Sequence, residues 1–412
     1  MKKALFISYY FPPDGYAGGL RASKFAKYLP ENDWCPIVLT SRSPHLEKDK
    51  SLLEEIPPCV KIYRTFTLDH DMLLTLFGKS RIDVGKTQKT KRGLVKLESL
   101  FLLPDTKALW VYNALPAVLK IFKTENFDLI YSTAPPLTSH IIAVLSGKIL
   151  RKPVVLDYRD AWYEDPFSFF PTELHRNLIK RIEKFAVTNA SVVVAINEVI
   201  LEGRLKLAHK KGVVIPHGFD PADFPESHPL PDTGNLKLAY AGSINYITNP
   251  EPVVRALMDL GLKDIELHFY TSKDPYLAQL TKSEDIIRWH DFVPHTEIVK
   301  ILPEYHVLVA TIDKDVKSPY VSVSKVFDYI GAARPILGVA PKSTYLWKFL
   351  SSFDFAYLAD ASDLNEIKKT LLKMYGDWRR KSLKPVPESI RKKFNRREQA
   401  KKLAEIFNEV IG

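Results

Sequence analysis

Cysteine is nearly absent from this chain: Cys35 and Cys59 are the only two in 412 residues. Neither sits in a Cys-x-x-Cys or Cys/His cluster, which argues against a disulfide framework or a structural zinc site and suits a reducing compartment. Long hydrophobic runs are missing as well. No stretch reaches the ~18 apolar residues of a membrane-spanning helix, so any membrane contact is expected to be peripheral. The opening MKKALFISYYFPP begins like a secretion signal, but its apolar run is short and stops at Pro12-Pro13 without a small-residue cleavage site. It is expected to be the buried first strand of a cytoplasmic protein. There is no internal repeat, no low-complexity tract and no Gly-x-Gly-x-x-Gly dinucleotide fingerprint. Acidic residues are in the minority. Lys and Arg number 59 against 48 Asp and Glu, a net charge of +11, which favours phosphates or an acidic membrane surface. No nucleic-acid-binding pattern accompanies the charge, so nucleic acid is not expected as a partner.

What is present is a regular alternation of strands and helices. Apolar runs at Lys3–Tyr9, Pro36–Thr40, Val60–Arg64, Asp128–Ser132, Pro153–Asp157 and Ser191–Ile196 have helical patterns between them. Leu236–Ala241 restarts the series, followed by Ile265–Tyr270, Ile287–Phe292, Val307–Thr311 and Pro335–Val339. This rhythm predicts an α/β protein with two parallel, doubly wound sheets in tandem. The boundary is expected near 217–235, where four prolines and Gly234 follow Pro216.

In open α/β sheets, ligands bind beyond the C-terminal ends of the strands. Five loops there carry polar or glycine-rich sequence. Gly18-Gly19, after the first strand, reads either as a plain turn or as a close backbone approach to a phosphate. Ser132–His140 puts His140 in the first turn of a helix, where it is either packed or at the mouth of a site. In Asp157-Tyr158-Arg159-Asp160-Ala161-Trp162, Arg159 and Asp160 either orient a polar ligand or belong to an internal Arg–Asp brace. Gly242 and Ser243 present backbone amides after Leu236–Ala241. Last, Ser322–Val339 opens a short helix at Ser322 that carries Val323, Ser324, Lys325 and Asp328. Free amides at its start suit a phosphate, and a carboxylate one turn on suits a sugar diol. The Asp-x-Asp triplets Asp69–Asp71 and Asp313–Asp315 read as solvated loops, and no obligatory metal is expected.

Six of these stretches, in order, resemble the bacterial glycosyltransferases of family 4. They are YYFPP…GG at 9–19, PDTKALW at 104–110, STAPPLTSH with LDYRDAW, VIPHGFD at 214–220, AYAGSI, and SKVFDYIGAARPILGV. The resemblance implies the GT-B fold, two Rossmann-like domains facing each other across a cleft. Residues 1–216 would be the acceptor-binding domain and 217–389 the nucleotide-sugar domain, with a C-terminal helix, 390–412, packing back on the first. It implies retaining transfer of a sugar from a nucleoside-diphosphate sugar, without a cofactor. His140, Gly19 and Asp160 take the catalytic positions. Gly18, Gly19, Arg159, Gly242, Ser243, Val323, Ser324, Lys325 and Asp328 take the donor-binding ones, Asp328 holding the ribose diol.

Two departures from the family pattern stand out. Tyr320 occupies the first acidic position of the E-x7-E pattern, and Gly242-Ser243 replaces Gly-Arg. Lys325, Arg159 or Lys317 is expected to supply the missing charge. The basic stretch and its apolar flanks at 66–110 suit either a mobile loop or a segment that meets anionic lipid, which favours a saccharide or lipid-linked acceptor of the cell envelope and a place on the inner face of the cytoplasmic membrane. The alternatives are a GT-B scaffold that no longer binds donor and a sugar-nucleotide enzyme of epimerase type.

Overall fold

The computed structural model describes residues 1–14, 17–42, 51–67, 100–164, 168–224, 229–282, 285–291 and 293–412. Asp69–Asp71 and most of the 66–110 stretch lie outside them. The chain divides into two compact units, Met1–Pro216 together with Gln399–Gly412, and His217–Glu398. Each is built on one parallel sheet.

In the first unit the strands are β1 (Lys2–Ile7), β2 (Trp34–Ser41), β3 (Lys61–Thr65), β4 (Leu129–Ala134), β5 (Val154–Tyr158), β6 (Val192–Ala195) and β7 (Lys211–Val214). Their order is β3-β2-β1-β4-β5-β6-β7. Ala4 to Ile7 and all of β4 and β5 are buried on both sides, as expected of parallel strands with helices on each face. The chain runs outward from β1 to β3, then returns to lay β4 on the other side of β1. That reversal leaves the loops after β1 and β4 diverging over one crevice.

The second unit repeats the plan with β8 (Leu236–Ala241), β9 (Ile265–Tyr270), β10 (Ile287–His290), β11 (Val307–Thr311), β12 (Ile336–Val339) and β13 (Ala356–Ala359), in the order β10-β9-β8-β11-β12-β13. Its reversal falls between β8 and β11. The four-residue β13 is too short to stand out in the hydrophobic pattern, and it pairs parallel with β12.

Two helix boundaries differ from the sequence reading. The helix expected to open at Ser322 opens three residues later and spans Lys325–Gly331. Ser318 holds the preceding residues in a turn, its carbonyl accepting from the Val321 amide at 3.4 Å and its hydroxyl from Tyr320 at 3.3 Å. The stretch 390–412, read as one helix, lies in two, Glu388–Lys393 and Arg396–Ile411. The break arises because the chain at 394–396 pairs with Phe219: the Phe219 amide donates to the Phe394 carbonyl at 3.1 Å, and Arg396 donates back to the Phe219 carbonyl at 3.0 Å. Arg391 then donates to the Gly331 and Phe224 carbonyls, at 3.1 and 3.0 Å, within the second unit. From Gln399 onward the last helix belongs to the first unit. There Phe407 meets the rings of Trp34, Tyr131 and Phe6 at 5.2, 5.8 and 6.3 Å.

Candidate functional site

In the second unit the loops after β8 and β11 bring Gly242, Ser243 and Lys325 together. The Gly242 amide donates to the Tyr270 carbonyl at 3.2 Å, and its φ of +111° is one that side chains rarely tolerate. A Cβ there would lie 3.4 Å from both Cε and Nζ of Lys325. Tyr240 forms the floor. Its ring centroid is 3.7 Å from Lys325 Nζ, a cation–π contact, and its hydroxyl donates to the Ser243 carbonyl at 2.9 Å. Tyr329, fully buried, locks the Lys325–Gly331 helix to the sheet: its hydroxyl donates to the Val309 carbonyl at 3.1 Å and accepts from the Ala241 amide at 3.3 Å.

The Lys325 ammonium is buried and has no hydrogen-bond partner. Burial without a compensating carboxylate pushes its pKa down to about 7. No side chain caps the N-terminus of its helix. Val323 is buried just before it and Ser324 is exposed at the N-cap. Asp328, one turn in, faces His295, with Nε2 3.3 Å from Oδ2. An unsatisfied cation, a strained glycine and an uncapped helix start thus lie together at a strand-order reversal, an arrangement whose chemistry suits an anion. The Asp315 amide and the Asn249 side chain both donate to Asp313, at 3.0 Å each, so its carboxylate braces its own loop.

The first unit is organised differently. Arg21 is 1% exposed and makes two bonds to Asp157, 2.6 and 3.0 Å, while its remaining donors reach the carbonyls of Ile215 and Pro216 at 2.8 and 2.9 Å. The Tyr131 hydroxyl also donates to Asp157. The internal Arg–Asp pair of this region is therefore Arg21–Asp157. Arg159 is spent on carbonyls: its side chain donates to Ala134 at 3.1 Å, to Pro135 at 2.8 Å and to Gly18. It braces the loops after β1 and β4 rather than presenting a free guanidinium. Gly19 is buried where a Cβ would stand 3.3 Å from the backbone of Tyr10 and Phe11, so the loop doubles back tightly. Asp160 is exposed at the end of β5.

His140 is fully buried. Its Nδ1 lies 2.6 Å from Ser132 Oγ and its ring stacks edge-on with Tyr158 at 4.5 Å. Burial, then the nearby Arg159 and Arg204, push its pKa down to about 3, which keeps the imidazole neutral. Its Nε2 has no partner. Asp105, from the PDTKALW stretch, accepts from the Thr138 amide and hydroxyl at 2.9 and 2.8 Å, so a carboxylate already occupies the start of the helix that carries His140.

Residues 22–223 match the family model described as Glycosyltransferase Family 4. The match spans just under half of the chain and supports a family 4-like glycosyltransferase. Among solved structures, this glycosyltransferase is similar to Anabaena HepE in complex with UDP, at TM-score 0.64 and 14% identity, with 99% of this chain and all of that one covered. A glycosyltransferase from Rickettsia africae gives TM-score 0.67 at 13% identity, covering 100% and 98%. Sucrose-phosphate synthase from Thermosynechococcus elongatus gives 0.63 at 14%, covering 99% and 98%. At these identities the likeness is one of fold, and the fold is GT-B. No curated protein sequence matches the chain.

Four features of this glycosyltransferase escaped the sequence. Tyr240 beneath Lys325, and His295 against Asp328, come from distant strands and loops, and nothing in their local spacing signals the contact. Arg21 and Asp157 lie 136 positions apart. Asp105 sat inside a quoted motif, but its role as a helix cap needed the fold. The strain at Gly242 has a measurable consequence. Gly242→Ala is strained at φ +111° and sets a methyl group against Lys325, so the Michaelis constant for donor is expected to rise about tenfold with melting temperature little changed. Unaltered donor kinetics would show that this loop does not approach the ligand.

Proposed function

We propose that the protein transfers a sugar, with retention of configuration, from a nucleoside-diphosphate sugar to a saccharide or lipid-linked acceptor of the cell envelope, without a metal. The carrying observation is Lys325, a buried ammonium with no partner, set under Gly242 at the β8/β11 reversal. A diphosphate supplies the missing counter-charge. Val323, Ser324 and Ser243 offer it main-chain amides, Gly242 lets it approach the backbone with no side chain in the way, and Asp328, oriented by His295, accepts from the ribose diol. As the glycosidic bond to the leaving phosphate breaks, negative charge grows on the diphosphate, and Lys325 and the amides are already aimed at it. A leaving phosphate oxygen takes the acceptor proton, so no pair of carboxylates is needed. Acceptor-side roles fall to the first unit, where the Gly18-Gly19 turn and Asp160 take the catalytic positions and Arg159 and His140 support them from within.

Thermal shift with UDP-, GDP- and dTDP-sugars tests the donor. Stabilisation by one of them is expected, and none would be seen with a scaffold that has lost donor binding. Turnover of that sugar nucleotide to an isomer without an acceptor would instead favour the epimerase reading. Asp328→Ala is expected to weaken donor binding about tenfold by removing charge-assisted bonds to the diol, and unchanged affinity would remove the ribose assignment.

The lowered Lys325 pKa gives a pH dependence with a definite sign. Below about 7 the free protein already carries the cation. Above it, binding must first recharge the amine, so UDP affinity is expected to fall with rising pH, approaching about tenfold per unit. A titration flat from pH 6 to pH 9, taken as an order-of-magnitude window around the ordinary and lowered lysine values, would contradict this. The lipid-linked acceptor rests on the basic charge and on exposed Leu100 and Phe101, 43% and 80% accessible. Among the described residues no helix is long and apolar enough to cross a membrane. Co-sedimentation with anionic vesicles and not with neutral ones is expected, and equal behaviour with both would remove the membrane contact.

A further inference from the structure

A hollow lies in the unit His217–Glu398, at the N-terminal ends of its central strands, opposite the end that carries Gly242. It is walled by Pro231, Asp232, His306, Trp378, Arg379 and Lys381 and has a volume of about 510 Å³, within the range of small-molecule pockets. His306 immediately precedes β11 and bonds to Lys237, near the start of β8. Gly242 stands beyond the far end of β8, roughly 15–20 Å away at the rise of a strand. The two sites share no residue.

The back of the hollow is pinned. The His306 amide donates to the Lys237 carbonyl at 2.9 Å, and the Lys237 amide donates to His306 Nδ1 at 3.0 Å. That second bond fixes the tautomer: Nδ1 is the acceptor, so the proton sits on Nε2. His306 is 1% exposed, yet Nε2 finds no hydrogen-bond partner in good geometry. The Pro231 carbonyl is close enough to favour the charged ring, but burial outweighs it and the imidazole stays neutral. Its approach to that carbonyl falls short of a full hydrogen bond, so an acceptor entering the hollow would complete what the Nε2–H lacks.

Beside it, the Trp378 indole meets the His306 ring edge-on at 6.1 Å. Arg379 lies against the same indole, its guanidinium carbon 5.8 Å from the ring centre. At the mouth Lys381 pairs with Asp232 at 3.2 Å, with both side chains about four-fifths exposed. An exposed pair of this kind holds weakly, so a competing anion readily takes Lys381 from Asp232. Arg379 also meets Asp264 at 3.5 Å, so an acceptor for the imidazole N–H, a flat partner for the indole and a negative charge for Lys381 describe one class of ligand.

We propose that this hollow is a second binding site, distinct from the donor site, for a small planar organic anion such as an aromatic carboxylate. Benzoate is the probe, inorganic phosphate supplies charge without a ring, and benzyl alcohol supplies a ring without charge. Binding is followed on the full chain by NMR of histidine labelled at the imidazole carbons, with the His306 signal assigned by its loss in His306→Gln. Benzoate is expected to shift that signal saturably, and both controls to bind more weakly. Lys381→Glu, an exposed position, is expected to weaken benzoate about fivefold, and Trp378→Ala about threefold to tenfold. Lys325→Met is expected to leave benzoate binding unchanged, which separates this site from the donor reading. The proposal is overturned if benzoate causes no saturable shift, if phosphate or benzyl alcohol binds as tightly, or if Lys325→Met abolishes the effect while Lys381→Glu does not.

Discussion

Lys325→Met is expected to weaken UDP binding by about 10- to 100-fold, because a buried charge-assisted contact to the diphosphate is lost. The melting temperature of the free protein is expected to hold or rise. In the absence of ligand the ammonium is buried with no hydrogen-bond partner, and methionine removes that desolvated charge at nearly constant volume. The two readouts move in opposite directions, which a general loss of structure cannot produce. Titration calorimetry with UDP beside a melting curve reads both. Weaker binding together with a large drop in stability would instead make Lys325 a structural residue, its contact with the Tyr240 ring serving the fold alone.

Asp157→Ala is expected to cost about 3–5 kcal/mol of stability, read by urea denaturation. Asp157 is fully buried and carries both bonds from Arg21 as well as the Tyr131 hydroxyl. Removing it strands a guanidinium that is 1% exposed. The same guanidinium holds the carbonyls of Ile215 and Pro216, the last residues of the first unit before the chain leaves it. Pairing Arg21→Met with Asp157→Leu is expected to recover most of the loss, since two apolar groups leave no orphan charge. A single-variant cost below about 1 kcal/mol would mean that water reaches the pair.

The strands were legible because parallel strands buried on both faces read as continuous apolar runs, as in β1, β4 and β8, and because proline crowding follows Pro216, the last residue of the first unit before the boundary. β13 was not, since four residues carry too little pattern. The last helix was read as unbroken because its apolar spacing runs through Phe394. Only the long-range pairing of Phe219 with residues 394–396 interrupts it. At the candidate site, Lys325 and Gly242 stood out as residue types at strand ends. That they lie together, with Tyr240 under them, depends on the parallel pairing of β8 with β11. Arg159 illustrates the converse. Its position at a strand end looked like a phosphate clamp, but folding brings it three carbonyls, and a guanidinium so engaged has little left for a ligand.

In the proposed function Lys325 meets the diphosphate of the donor. Calorimetry of UDP binding at a pH one unit above the lowered Lys325 value of about 7, repeated in buffers of different ionisation enthalpy, counts the protons taken up. If the amine is recharged on binding, uptake approaches one proton per UDP in the natural protein and vanishes in Lys325→Met. Binding that takes up no proton in the natural protein would contradict the account.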